Sequence, residues 1–548
     1  MKNKLIWLLG LSVVLTACDV DNTLDPIEAE VVPEVALTAG SADFSKFVAV
    51  GASFTAGFTD GALFKAAQEN SFPNILSKKF AMANGGAFTQ PLMNDNIGGF
   101  LIGGNPVGAP RFWFNPLTKR PVILNATPTT EVGAIQAGPY SNMGIPGMKS
   151  YHIDVAGYGA LAALPNANPY FVRMASNPLK SVLDDAADQS PTFFTVSEIG
   201  GNDVLGYAIG GGTGVDRTGD INAAAYGSED ITDPNVFAAK FSKTVNTLIG
   251  AQGAKGAVAN VPYVTSLPYF TTVPHAPLAP NNPSFGPLIP TLNNVFGAIN
   301  GVFTAIGVPE RAIVFHTDKA SPVVIKDEAL PNKTTDIIRT LLLSPTFPAF
   351  VQGFGLPTDP ATLQKVAGLL GSYYGQARQA TENDLLVLPS SSIIGTVNTA
   401  SVQFLMSQGL PQQLAGMFSA EGVSLPLADK WVLTADEVSK VKTATDAYNT
   451  TIEAIATSKG LAFVDFKGVL QKASTSGISS GDFILTTSFA TGGLVSLDGI
   501  HLTARGYAVM ANTILEAIDK AYGSNFTKAT NGLAKVGNYP TNYSPALR

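Results

Sequence analysis

Four short apolar runs recur along the chain: KFVAVG (46–51), TFFTVSEIG (192–200), GAVANV (256–261) and LAFVDF (461–466). Each meets a Gly, Asn or Asp near its end, and far longer helix-compatible sequence separates one from the next. That alternation is the pattern of parallel strands joined by helical crossovers, and it assigns the chain to the α/β class. The clearest helix lies just before the last run. Thr434 and Glu437 form a capping box, Val438, Val441, Thr445, Tyr448, Ile452 and Ile455 follow at helical spacing, and Lys459-Gly460 supplies a stop. A second helix is expected over TARGYAVMANTILEAIDKAYG (503–523).

The chain has 548 residues, enough for one enlarged domain. The pattern predicts one α/β domain over 46–525, interrupted twice. The first insertion, about 77–140, is rich in Gly, Asn and Pro; the second, about 275–430, is largely helical and is expected as part of the same domain or as a cap domain of its own. Residues 526–548 are expected to form an irregular surface tail.

The first residues follow different rules. Lys2 and Lys4 precede an apolar run from Leu5 to Ala17, too short to span a bilayer and laid out as a secretory signal. It ends at Cys18, the only cysteine in the chain. The arrangement resembles a bacterial lipoprotein signal over 1–18, in which Cys18 becomes the lipidated residue. Lipid attachment there implies a cell-envelope location, at the outer membrane, facing the periplasm or the surface. Residues 19–45 carry seven acidic residues and no Lys or Arg, which matches the whole net charge of −7 and predicts an extended, solvated tether. Neither tether nor body offers the basic patch that nucleic acid requires, so no nucleic-acid partner is expected.

Chemistry-bearing residues fall into four blocks. GASFTAG (51–57) puts Ser53 on the turn after the first strand, NMGIPGMKS (142–150) is a Gly-rich turn, EIGGNDVLG (198–206) brings Asn202 and Asp203 to a strand end, and LDGIHLTARGYA (497–508) holds Asp498 and His501 three residues apart. Ser53 can attack an acyl carbon only if a base takes its proton, and the chain has four histidines: His152, His275, His316 and His501. His501 is best placed, because Asp498 can accept its Nδ1 proton and fix the productive tautomer. His152, His275 and His316 are read as structural or surface residues, and Asp203 as a helix cap. An oxyanion needs several donors, available from the Ser53 N–H, a glycine-turn N–H and a neutral amide such as Asn202.

In this order the four blocks resemble the SGNH (GDSL-type) hydrolase family, with SFPNIL (71–76) and VANVPYVTSLPYF (258–270) similar as well. The resemblance implies a flavodoxin-like three-layer sandwich with a parallel sheet. It implies catalysis by Ser53, Asp498 and His501, an oxyanion hole of Ser53, Gly147 and Asn202 with Gly144 as the alternative glycine, and no metal or organic cofactor. The implied activity is hydrolysis of an ester, of a lipid or of an acylated small molecule or glycan, by an esterase or lipase. Ala52 and Phe54 depart from the Asp and Leu that flank the family's serine. Two other readings stay open: an O-deacetylase of carbohydrates, and a non-catalytic binding lipoprotein on the same scaffold.

Overall fold

The computed structural model describes residues 34–548. Cys18, the signal and the first part of the expected tether lie outside the described residues. The framework runs β1 (Phe47–Gly51), α1 (Ser53–Ala56), α2 (Phe72–Ala81), β2 (Asn142–Gly144), α3 (Val182–Ala187) and β3 (Phe193–Val196). It continues with α4 (Asn202–Ile209), α5 (Pro234–Ile249), β4 (Lys255–Ala259), α6 (Ala435–Lys459), β5 (Ala462–Val464), α7 (Phe466–Thr475) and α8 (Ala504–Tyr522).

The five strands form one sheet, ordered β2-β1-β3-β4-β5, and every pairing is parallel. Alternate residues of each strand face opposite ways. Val48, Val50, Phe194, Val196 and Val258 pack with Phe237 and Phe241 of α5 and Tyr448 of α6. Phe47, Ala49, Phe193, Ala257, Ala259, Ala462 and Val464 pack on the other face with Phe80 of α2 and Leu515 of α8. Helices therefore cover both faces, which is why the strands read as unbroken apolar runs. Each large side chain sealed in this way contributes roughly 1.5–3 kcal/mol.

Thr434 and Glu437 complete the capping box of α6, and Gly460 ends it in the left-handed region at φ 62°. The expected strands are present but shorter, and β2 lies in what reads as a Gly-rich turn, because three residues are too few to show a period. The first insertion contains two hairpins, Phe100–Ile102 with Asn105–Val107 and Phe112–Asn115 with Arg120–Ile123. Gly103 and Gly104, at φ 57° and 79°, make the tight turn of the first hairpin. In the second insertion, buried residues from Val273 to Val432 gather a core of their own around Phe296, Phe303, Phe315 and Tyr374. It is mostly helical, with two pairs of short antiparallel strands.

Two terminal segments differ from expectation. Residues 34–45 are mostly exposed but lie docked on the domain: Thr38 N–H donates to Asn525 Oδ1 (2.8 Å) and Ser41 N–H to the Tyr522 carbonyl (2.9 Å). Phe44 stacks on Phe80 with ring centroids 4.0 Å apart, so local acidity did not prevent one buried aromatic from docking the segment. The tail over 526–548 is irregular but buries Phe526, Val536 and Tyr543. Its carbonyls at Tyr543, Ser544 and Leu547 accept from the fully buried guanidinium of Arg111. Among the described residues no helix is long and apolar enough to cross a membrane.

Candidate active site

β1 sits between β2 and β3, and the chain leaves β1 and β3 toward opposite faces of the sheet. Such a point leaves a crevice at the carboxyl ends of the two strands. Ser53 opens α1 two residues beyond β1, and Asn202 opens α4 beyond β3. The segment after α1 is stitched to the loop before α8. Thr59 Oγ1 donates to the Leu502 carbonyl (2.8 Å), Tyr507 donates its hydroxyl to the Phe58 carbonyl (2.6 Å), and Asp60 N–H bonds Ser496 Oγ (3.1 Å). These bonds align two loops that are over 430 residues apart in the chain.

His501 Nε2 lies 2.9 Å from Ser53 Oγ, across 448 residues of sequence, and His501 Nδ1 lies 2.8 Å from Asp498 Oδ2. Asp498 is held from several sides. Oδ1 accepts from Ser496 Oγ (3.0 Å), Ile500 N–H and His501 N–H (both 2.8 Å), and Oδ2 also accepts from Gly61 N–H (2.9 Å). Burial by itself raises this carboxyl, but the facing imidazole and the N–H donors win and hold it well below the usual carboxylate range. Asp498 therefore remains a charged acceptor that orients His501. Phe54 and Phe58 pack against the His501 ring, with centroids 5.4 and 4.5 Å away, and confine it. Phe64, six residues further on, is core beside Arg111 and Tyr543.

Around Ser53, among the described residues, the Ser53 and Gly147 N–H groups donate to no protein acceptor. Gly147 is exposed, at φ 80°, on the loop that follows β2. Gly144 has another role. Its N–H bonds Asn142 Oδ1 (3.0 Å), and a Cβ there would lie 2.2 Å from the Ala56 nitrogen, so it is the glycine that lets β2 approach α1. Asn202 Nδ2 donates to the Met148 carbonyl (2.9 Å), beside Gly147, and keeps a second amide hydrogen. Asp203 departs from the expected cap: its buried carboxylate accepts from Ser150 N–H (2.9 Å) and Ser150 Oγ (2.6 Å). Asn202 and Asp203 together tie the Gly147 loop to the end of β3.

Two acids near the site were not singled out in the sequence. Glu198, at the end of β3, turns back over the serine turn and accepts from Ala52 N–H (2.6 Å) and Thr55 N–H (2.8 Å) through Oε1. Burial pushes its carboxyl up to about 7, against the lowering effect of Thr55, Ser197 and Ala52. Asp60, 1 % exposed, accepts from Leu497 N–H (3.0 Å). Burial pushes it up to about 7 as well; the Leu497 N–H and Arg111 pull it down and the Asp498 charge adds to the rise. Neither had a sequence signal beyond an acid near a turn. Of the other histidines, His152 is half-buried beside Tyr158, and desolvation lowers it to about 4, which keeps it neutral. His275 and His316 belong to the second insertion and make no hydrogen bond with Ser53.

Beside Ser53 opens a pocket that encloses about 910 Å³ of space, its solvent-filled mouth included. Glu198 and Asn202 sit at its polar end with Ser53; Val264, Leu267, Leu470, Leu494 and Met510 are among the apolar residues lining the rest. Among the described residues no group of three or more His, Cys, Asp or Glu is placed to hold a metal ion.

The fold and the site together define a parallel α/β protein with a hydrogen-bonded Ser-His-Asp chain at the carboxyl edge of its sheet. Comparison of the chain with protein-family models, with curated proteins and with solved structures finds no match.

Proposed function

We propose that the protein is a serine hydrolase of the SGNH type that cleaves carboxylic esters and is held at the cell envelope by lipid on Cys18. The observation that carries the catalytic part is the continuous Ser53–His501–Asp498 chain, at 2.9 and 2.8 Å, opening onto an apolar pocket. The strand order β2-β1-β3-β4-β5 supports a flavodoxin-like sandwich, and the crevice beside β1 is where such sheets bind ligands.

The reaction follows from the geometry. His501 Nε2 takes the Ser53 proton as Oγ attacks the ester carbonyl, while Asp498 stabilises the imidazolium that forms. The carbonyl oxygen becomes an oxyanion, and the Ser53 N–H, the Gly147 N–H and the Asn202 amide are the donors available to it. The imidazolium then protonates the leaving alkoxide, and a water activated by the same histidine releases the acid. The apolar lining favours an acyl chain over a sugar ring in the pocket, and so favours an esterase or lipase over an O-deacetylase.

The test is a protein lacking residues 1–18, assayed on nitrophenyl esters of increasing acyl length, beside its Ser53→Ala variant. Hydrolysis is expected only with Ser53 present and to rise from acetyl to medium chains; equal rates for the two proteins refute the reading. The anchor has its own test, since Cys18→Ala in the full chain is expected to release the protein from the membrane fraction.

A further inference from the structure

The turn that carries Ser53 has a gap in its own sequence. Ala52 is the cap residue of α1, at φ −112° and ψ −127°, and no side chain of its own reaches the first turn of that helix. A turn aimed at a substrate needs its first N–H groups held, or the nucleophile swings with them. Here two N–H groups, one on each side of Ser53, are held by one atom from elsewhere. Glu198 Oε1 accepts from Ala52 N–H on one side of Ser53 and from Thr55 N–H on the other, at 2.6 and 2.8 Å.

We propose that Glu198 is the positioning residue of the nucleophile: it supplies from the end of β3 the capping carboxylate that position 52 lacks, and thereby fixes the direction of Ser53. Three separate features support this. Glu198 adopts φ 48°, a left-handed conformation that a non-glycine residue takes at some strain, and it is this backbone that folds the side chain over α1. Gly51 leaves the space: a Cβ there would fall 2.8 Å from Glu198 Oε1 and 2.1 Å from Thr55 Oγ1. Ala52 is 1 % exposed, so a carboxylate at 52 would be enclosed beside that of Glu198 and compete with it for the Thr55 N–H. Gly51, Ala52 and Glu198 are thus one arrangement, in which the small residues of the turn admit a capping acid from the neighbouring strand. The second carboxylate oxygen of Glu198 is buried and leaves room for the conservative variant. Oε2 forms no directed hydrogen bond among the described residues, and neither do the nearby buried hydroxyls of Thr55 and Ser197, which a glutamine amide in place of Oε2 could engage.

The inference rests on Ser53 being the nucleophile, and the experiment separates the two. Steady-state ester hydrolysis and the rate of labelling by a fluorophosphonate are measured for the wild type, Ser53→Ala, Glu198→Ala, Glu198→Gln, Ala52→Asp and the double variant Ala52→Asp with Glu198→Ala. Loss of positioning in Glu198→Ala is expected to lower kcat about 10- to 100-fold with little change in KM. Glu198→Gln retains an acceptor for both N–H groups and is expected to recover most of that loss, as is the double variant, which restores a carboxylate at the cap. Ala52→Asp alone is expected to lower kcat, since two carboxylates then crowd one turn. An unchanged kcat in Glu198→Ala, or a Glu198→Gln as impaired as Glu198→Ala, overturns the proposal while leaving Ser53 standing. Hydrolysis that survives Ser53→Ala overturns the serine reading instead. Should Glu198→Ala fail to fold, Glu198→Gln and Ala52→Asp still decide, because each is expected to move kcat by a different amount and the reverse order refutes the cap.

Discussion

Replacing Asp60 by Asn tests the electrostatics of the loops that hold Asp498. Asp60 is 1 % exposed and its carboxyl is raised from 3.8 to about 7, by burial first and by the Asp498 charge after the opposing Leu497 bond. Because the native value exceeds the unfolded one, the folded protein keeps a proton that the unfolded chain has already lost between those two pH values. Stability contributed here is present in acid and falls as pH rises through that window. At about 1.4 kcal/mol per pH unit, the two units from pH 5 to about 7 correspond to roughly 3 kcal/mol. Asn retains the acceptor for Leu497 N–H, which Asp60 now receives at 3.0 Å, and cannot ionise. The Asp60→Asn protein should therefore gain about 3 kcal/mol over the wild type between pH 5 and pH 8. The assay is urea unfolding followed by tryptophan fluorescence at both pH values, with the difference between proteins as the readout. Other titrating groups, Glu198 among them, are common to the two proteins and cancel in that difference. Parallel stabilities at pH 5 and pH 8 would show that the Asp60 carboxyl is not desolvated as its surroundings imply.

The remaining expectations concern turnover. Asp498→Asn leaves the side chain in place but loses the charged acceptor at 2.8 Å from His501 Nδ1, so kcat should fall by on the order of 10⁴ in nitrophenyl ester hydrolysis, and a loss under tenfold would refute the orienting role. Asn202→Ala removes an amide donor and also its tie to the Met148 carbonyl; a fall in kcat of about 10²–10³ is expected, with KM changed far less. Leu205→Trp puts a larger ring into the lining of the pocket, so kcat/KM for an octanoyl ester should drop at least tenfold relative to an acetyl ester, whereas an unchanged ratio would place the acyl chain elsewhere.

What the sequence makes legible follows from which interactions are local. The strands of the parallel sheet announce themselves because both faces are sealed, so that Phe47 to Val50 are apolar without interruption. The Asp498–His501 pair is legible because it is local: three residues on one turn bring a carboxylate to Nδ1, although Gly61, Phe54 and Phe58 then hold the pair in place. Strand β2 escapes, since Asn142–Gly144 is short and owes its place to pairing with Ala49–Gly51. The docking of residues 34–45 escapes too, because the contacts of Phe44 with Phe80 and Phe193 come from elements that composition cannot relate to an acidic segment.

Glu198 shows where reading by position reaches its limit. Looking only at the neighbours of Ser53, Ala52 is a missing polar group, and the turn reads as weakened. The hydrogen-bonding need belongs to the Ala52 and Thr55 N–H groups, however, and any acceptor in reach meets it, whichever strand it comes from. In a parallel sheet the adjacent strand ends at the same edge, so a residue 146 positions away in sequence is a neighbour in space. An acid at the end of β3 can thus compensate a small residue after β1, provided the backbone accepts a left-handed conformation there and a glycine clears the path. Both conditions hold, at φ 48° for Glu198 and at Gly51. A small residue at position 52 therefore does not leave the turn uncapped: the Ala52 and Thr55 N–H groups find their acceptor on β3's side of the crevice, and the proposed positioning role is tested on those two bonds rather than on the identity of residue 52.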